Sequence, residues 1–370
     1  MTLLPVLEPA DVDRWVGEHL LEMSCDADVQ RSARFMGTQA AADAALDQLD
    51  ISGYARRRNE VLPQSERGAT ALSPYIRHGL LTLARVSAAA DSAPSKDRQK
   101  FRDELMWQEY ARHVYARLGT RTGRSLRFDP PVDEPPPSLD VAWDRSMACM
   151  DSTLGELERD GWLVNQTRMW LASQWSVRHG LDWRQGEDRF FTHLLDGSRA
   201  ANRLGWQWTI GAGTGKPYGF SRWQVEKRAP ELCEGCAHRN ACPVEQWPAE
   251  RELRPVDGDR RLRGNPEPDV TAGPLVVEAS GAPDAVWLTA ESLGDDDPAL
   301  ATHPELPAVF VFDEPLLRQL RLASKRLVVL ADRLAELATR RALEVHLGDP
   351  AVVLDGRKRA TTFTPVPQAR

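Results

Sequence analysis

Three cysteines near residue 240 follow the pattern Cys233-x2-Cys236-x5-Cys242, with Pro243 next. Thiolates this close can share one metal centre, and the spacing suits zinc or an iron–sulfur cluster. A zinc ion would complete its shell with His238. The total of five cysteines, with Cys25 and Cys149, is odd and argues for a metal or redox site over a disulfide framework. Two other segments gather polar and aromatic groups on single helical faces. In DELMWQEY (103–110), Glu104 and Trp107 are three residues apart. In GWLVNQTRM (161–169), Asn165, Arg168 and Met169 stand at i, i+3 and i+4. Twelve tryptophans, most of them between Trp107 and Trp223, fit an aromatic core or a domain that stacks its rings on planar ligands or bases.

The elements that would position these groups are mainly helical. Residues 8–48 have helical patterning, and FRDELMWQEYARHVYARL (101–118) repeats Phe101, Leu105, Val114 and Leu118 at helical spacing. The Pro-rich, acidic stretch 128–139 reads as a loop. Two helices over 147–179 break near Gly161, and 185–222 alternates helix with glycine-marked turns. Residues 247–283, rich in Pro, Gly, Arg and Asp, read as a linker. Beyond them AVWLT, PAVFVF, a long helical stretch from Pro315 to Arg341 and LEVHLGD give strand, strand, helix, strand. Residues 355–370 read as a disordered tail.

A chain of 370 residues is long enough for two domains. No apolar run approaches a membrane span, and the opening MTLLPVLEPADVD lacks the marks of a signal peptide, so a cytoplasmic location is expected. The net charge of -7 excludes a wholesale basic nucleic-acid binder but leaves room for a local basic groove, since residues 51–125 are rich in Arg.

Four segments resemble the photolyase/cryptochrome family in its own order. GATALSPYIRHG (68–79) resembles the segment that wraps the FAD phosphates, and Tyr54 in SGYARRRN matches another flavin contact. DELMWQEY resembles the helix facing the lesion pocket, with Gln108 where Arg is usual. GWLVNQTRM resembles GWMHNRxRM, with Val164 in place of His. DGSRAANRLGWQW (196–208) resembles DGDxAxNxGGWQW, with Ser198 in place of Asp. The resemblance covers roughly residues 30–250. It implies an all-helical FAD-binding domain over 1–246, followed by a small, incomplete α/β (Rossmann-like) domain over 284–354. The latter is similar to the first half of the family's antenna domain, and no antenna chromophore is expected in it.

The resemblance also implies roles. Glu104, Trp107, Asn165 and Trp208 would meet the substrate, and Trp206 and Trp183 would relay electrons. Tyr54, Ala69, Thr70, Ala71, Leu72, Ser73, Phe101, Gln108, Asn165, Arg168, Asp196, Ser198 and Asn202 would hold FAD. Ser73 would donate to a phosphate, Arg168 would pair with Asp196, and Asn202 would point at flavin N5. KPYGFSRWQVEKRAPELCEGCAHRNACPVEQW is similar to the cluster region of the iron–sulfur bacterial members, where Cys149, Cys233, Cys236 and Cys242 would hold a 4Fe-4S cluster. Cys25 then reads as structural. The implied activity is light-driven repair of pyrimidine dimers in damaged DNA by a monomer. Arg56, Arg57, Arg102, Arg203 and Arg222 are candidate phosphate contacts. The alternatives are a cryptochrome-like photoreceptor or redox flavoprotein without repair, and a light-independent nucleic-acid-binding module.

Overall fold

The computed structural model describes residues 1–262 and 281–364. Helices dominate. The expected helical stretch 8–48 divides into α1 (Val12–His19) and α2 (Gln39–Asp47), and the Thr38 hydroxyl starts α2 by accepting from Ala41 N. Then follow α3 (Tyr54–Arg57), α4 (Ser73–Arg77), α5 (Leu83–Ala89) and the long α6 (Ser95–Leu118). Next come α7 (Ala148–Asp160), closed by Gly161 in the left-handed region, and α8 (Asn165–Ala172). A π-helical turn over Ser173–Arg178 leads to α9 (Trp183–His193) and α10 (Ala201–Thr209). A Ser221–Gln224 capping box opens α11 (Arg222–Arg228), and α12 (Pro230–Glu234) follows. Among the described residues no helix is long and apolar enough to cross a membrane.

The sheet is built from both ends of the described chain. Its order is β1 (Thr2–Leu3), β6 (Leu343–Gly348), β5 (Ala308–Asp313), β4 (Ala285–Leu288), β7 (Arg359–Ala360). Strands β4 to β7 run parallel, and β1 pairs antiparallel with β6. A two-residue ladder between β2 (Phe128–Asp129) and β3 (Arg254–Pro255) lies apart from it. After the strands, α13 (Pro298–Thr302), α14 (Glu314–Leu320) and α16 (Pro350–Val353) each start on an aspartate cap, Asp297, Asp313 and Asp349, with Pro in the first turn. The helical stretch expected from Pro315 to Arg341 is two helices, because Arg321 adopts φ +48 and ends α14 before α15 (Ser324–Ala338) begins.

Three boundaries differ from those expected of the sequence. The first residues of the chain join the α/β unit: β1 extends its sheet and α1 packs on α15. The tail supplies β7, while 365–370 lie outside the described residues. The first part of the linker is fastened, by β3 and by ion pairs Arg251–Asp133 and Arg121–Asp259, and 263–280 lie outside the described residues. One apolar core runs through Trp15, Ile76, Phe101, Trp162, Val286, Phe310 and Leu334, so the first hundred residues and the sheet are packed as one layer structure. A second core holds residues from Val61 to Val244, including Trp143, Trp170, Trp175, Trp183 and Trp206.

His78 sits on the seam between these parts. Its Nδ1 lies 2.7 Å from Ala290 O and its Nε2 lies 3.1 Å from Leu195 O. A neutral imidazole has one N–H, so it donates to only one of these carbonyls. Burial, then the Arg77 and Arg326 charges, push its pKa from 6.5 down to about 3, and burial does the same to His193, to about 4. As pH falls below 6.5 the unfolded chain binds protons that the folded chain refuses, so stability is lost. Denaturant unfolding at pH 7, 6 and 5 should show a loss approaching about 1.4 kcal/mol per pH unit for each such histidine. His78→Asn should remove its share of that slope.

Candidate flavin site

The site is assembled on one carboxylate. Asp196, in the turn after α9, accepts from Ser73 Oγ at 2.6 Å and pairs with Arg168 Nη2 at 2.7 Å. Ser73 opens α4, Arg168 lies one turn into α8, and Arg168 Nε also donates to Leu163 O at 3.0 Å. Trp162 Nε1 donates to Ser73 Oγ at 2.9 Å. The Ser73 hydroxyl, expected at a phosphate, therefore already donates to Asp196. Asp196 Oδ1 is buried and has no donor among the described residues. Such an acceptor is costly unless a ligand or water supplies the missing N–H or O–H. The loop feeding α4 crosses Ala69 and Thr70, both half-buried, then turns at Ala71 with φ +56 into buried Leu72. A non-glycine residue at positive φ is uncommon and marks a shape fixed by its surroundings.

A second part of the site lies where α3 meets α6. Asp97 accepts from Gly53 N at 3.0 Å and Ala55 N at 2.8 Å, which ties the short helix to the long one. Tyr54 is buried edge-on to Phe101, with centroids 5.1 Å apart. Burial, and then the Glu104 charge, hold its phenol above the usual range. Glu104 pairs with Lys100 at 2.8 Å and Arg58 at 3.3 Å. Gln108, one turn on from Glu104, is half-buried. On the same helix Trp107 is 60% exposed, edge-on to Tyr110.

Helix α10 packs along α6 and carries Asn202, Trp206 and Trp208. Trp208 is 49% exposed, 5.9 Å from the Tyr218 ring. Asn165, at the start of α8, is exposed. Ser198 is buried, and its Oγ accepts from Ala200 N. Asn202 Nδ2, expected at the flavin, donates to Glu187 Oε1 at 2.9 Å. Glu187 also pairs with Arg199 and, at 3.5 Å, with Arg203. Burial raises its pKa while those arginines and Asn202 oppose the rise. Sequence patterning misses Glu187, because a buried acid on α9 has the same spacing as a solvated one. Its sole signal is the pair of arginines, Arg199 and Arg203, one turn apart.

The structure brings all four sequence-selected cysteines to one cavity. Cys149 from α7, Cys233 from α12, Cys236 and Cys242 line it with His238, Met147, Val225, Leu232, Val244, Arg222 and Arg239. Cys149 is pushed up to about 12 by burial and then by the three other sulfurs. Among the described residues no group of three or more His, Cys, Asp or Glu side chains is arranged to hold a metal ion. His238, the expected zinc ligand, has Nε2 2.8 Å from Ser146 Oγ. Cys25 is exposed, which differs from its structural reading.

Residues 101–229 match the family described as FAD binding domain of DNA photolyase. The deoxyribodipyrimidine photo-lyase of Synechococcus sp. is 30% identical over 177 residues, which cover 44% of this chain and 36% of that protein. The enzyme of the same name from Thermus thermophilus is 31% identical over 187 residues, covering 49% and 42%. The chain thus spans well under half the length of these curated relatives. Among solved structures, an archaeal photolyase from Sulfolobus tokodaii is 21% identical, with a TM-score of 0.47 over 60% of this chain and 54% of that one.

Proposed function

We propose that the chain is a light-driven DNA repair flavoprotein that splits pyrimidine dimers. The observation that carries this is the Asp196 node, where α4, α8 and the turn after α9 converge on a carboxylate with one buried oxygen left without a donor. The residues present fit FAD: a strained loop at Ala71, an unsatisfied acceptor, and a polar cluster inside a matched FAD-binding domain. Bound and reduced, FAD supplies photochemical one-electron reduction. The chain then has to hold an extruded lesion. Extrusion costs a few kcal/mol, least for a damaged, poorly stacked site. Trp107 and Trp208, both well exposed on neighbouring helices, replace lost stacking. Asn165 orients the base edge, and Glu104 hydrogen-bonds the dimer after exchanging Lys100 or Arg58 for it.

The proposed metal centre is a 4Fe-4S cluster on Cys149, Cys233, Cys236 and Cys242, with zinc on three of these thiolates and His238 as the alternative. The cavity lined by all four sulfurs supports this reading. Metal analysis of purified protein decides between iron and zinc.

The expected phosphate contacts are less free than the sequence suggests. Arg57 donates to Ser52 O, Arg102 pairs with Asp91, Arg203 bonds Glu187 and Thr122, and Arg222 bonds Glu226 and Glu245. Arg56 is exposed. That commitment favours, as second reading, a cryptochrome-like photoreceptor or redox flavoprotein without repair. Illumination of the reduced protein with dimer-containing DNA separates the two. Repair predicts lesion loss in the light only, reduced by roughly tenfold or more in Glu104→Gln, as loss of a charged hydrogen bond worth about 1.5–3 kcal/mol implies. No loss above the dark control sinks the repair reading.

A further inference from the structure

Residues 117–129 carry four arginines, Arg117, Arg121, Arg124 and Arg127, and a single acid, Asp129. On a chain with a net charge of -7 this is a local excess of the opposite sign. The arginines run from the last turn of α6 into the loop after it, where Gly119 at φ +56 ends the helix. That loop is firmly held. Buried Gln207 of α10 accepts from Leu126 N at 2.9 Å and donates to Thr122 O at 2.8 Å and Arg124 O at 3.0 Å. Arg184 Nε donates to Gly123 O at 2.6 Å, and Arg127 N donates to Ala212 O at 3.0 Å. Backbone fixed in advance lowers the ordering cost of binding. Arg117 is half-buried, and the other three arginines are exposed. Of the four, Arg121 alone is ion-paired among the described residues, to Asp259 at 3.1 Å.

That partner comes from the linker. Asp259 also pairs with Arg261 at 2.8 Å, and Arg261 Nη1 donates to Arg117 O at 2.8 Å. Bonds from Arg261, and then from Arg121, hold the Asp259 carboxyl well below the usual carboxylate range. Val256 N donates to Arg127 O at 2.9 Å beside the β2–β3 ladder, so this part of the linker lies along the arginine loop. Asp129 is occupied by Ser125 Oγ at 2.7 Å and Arg254 at 3.7 Å, and Asp257 is exposed. A carboxylate on an arginine takes the place that a phosphate oxygen would take. The Arg121 side chain is 59% exposed, so its bond to Asp259 is weak and exchangeable.

The loop is in register with the rings assigned above to the extruded base. Gln207, which clamps it, lies between Trp206 and Trp208 on α10. Arg117 follows Trp107 by ten residues on α6, about 15 Å along the axis. Each strand of a duplex offers a phosphate about every 3.4 Å, so the loop stands about four base pairs from the pocket. We propose that Arg121, Arg124 and Arg127 hold the phosphate backbone of duplex DNA beside the extruded site, and that Asp259 of the linker competes with that backbone for Arg121. The proposal rests on the repair reading above. Binding exchanges an internal carboxylate for phosphate oxygens and releases counterions. The linker therefore weakens the grip on DNA without touching the flavin site.

The test is equilibrium binding of the full chain, in the dark, to an undamaged duplex of about 20 base pairs at about 50 to 200 mM salt. The slope of log K against log salt reports the phosphates held, at about 0.9 per contact. Arg124→Gln combined with Arg127→Gln should flatten the slope by about 1.8, so its loss of affinity is roughly tenfold greater at about 50 than at about 200 mM. Asp259→Asn should tighten binding by about two- to fivefold, the factor that an exposed ion pair withholds. Arg14→Gln removes a charge from α1, where Arg14 pairs with Asp11, and should keep the parental slope. A parental slope in the double variant overturns the site. Unchanged or weaker binding in Asp259→Asn overturns the competition. Lesion loss in the light with a slope that ignores the loop keeps the repair reading and rejects this site. A parent that binds no duplex at any salt rejects both.

Discussion

Asp196→Ala should purify without bound flavin and unfold at markedly lower denaturant than the parent. The carboxylate is shared by three segments distant in sequence: Ser73 of α4, Arg168 of α8 and its own turn. Its side chain is 7% exposed and that of Arg168 is 24% exposed. Removing one partner of a buried pair typically costs about 3–5 kcal/mol, because the other charge is left uncompensated. Here about 2–4 kcal/mol is expected, since Arg168 keeps some solvent and its bond to Leu163 O. Ser73 would lose its acceptor too, and with it the hold on Trp162. Asp196→Asn keeps the shape but not the charge and should fall between the two. The measurement is flavin absorbance per chain alongside the unfolding midpoint. Stoichiometric flavin in Asp196→Ala with an unchanged midpoint would remove this node from the site.

Much of this node is legible in the amino-acid sequence. Arg168 and Asp196 are identifiable because each sits in a motif that resembles the photolyase/cryptochrome pattern, and the structure joins them at 2.7 Å. The aspartates before Pro298, Pro315 and Pro350 likewise mark helix starts after strands. What escapes the sequence is long-range and short-element information. A two-residue strand such as β1 has no period to detect, and its partner β6 lies more than 300 residues away. The break at Arg321 carries no Gly or Pro signal, so two helices read as one. Asn202 has a local pattern that suits a ligand, but its partner Glu187 comes from another helix.

Gly294→Ala should be among the most damaging small substitutions in the α/β unit. The SPYIRHG turn that ends α4 is pressed against the loop after β4. Gly79, at φ +74, and Gly294 meet there backbone to backbone. A Cβ on Gly294 would lie 2.0 Å from Gly79 O and 2.9 Å from Gly79 C, neither of which is a movable side-chain end. Around this contact Leu293 N donates to His78 O, Arg77 pairs with Glu291, and Arg333 Nε donates to Leu293 O. Arg77 Nε and Arg326 Nη2 both donate to Gly197 O, next to Asp196. The seam therefore holds the start of α4 and the Asp196 turn in register, and displacing one side moves both. Overpacking of this kind costs about 1–3 kcal/mol or more when backbone must shift. The loss should appear as a lower unfolding midpoint together with weaker FAD retention, although no flavin-site residue is changed. Gly155→Ala is the matched control: its Cβ meets nothing within 4 Å on α7, where alanine favours helix by roughly 0.5–1 kcal/mol. Equal behaviour of the two variants would mean that the seam is compliant and that the sheet does not help to shape the flavin site.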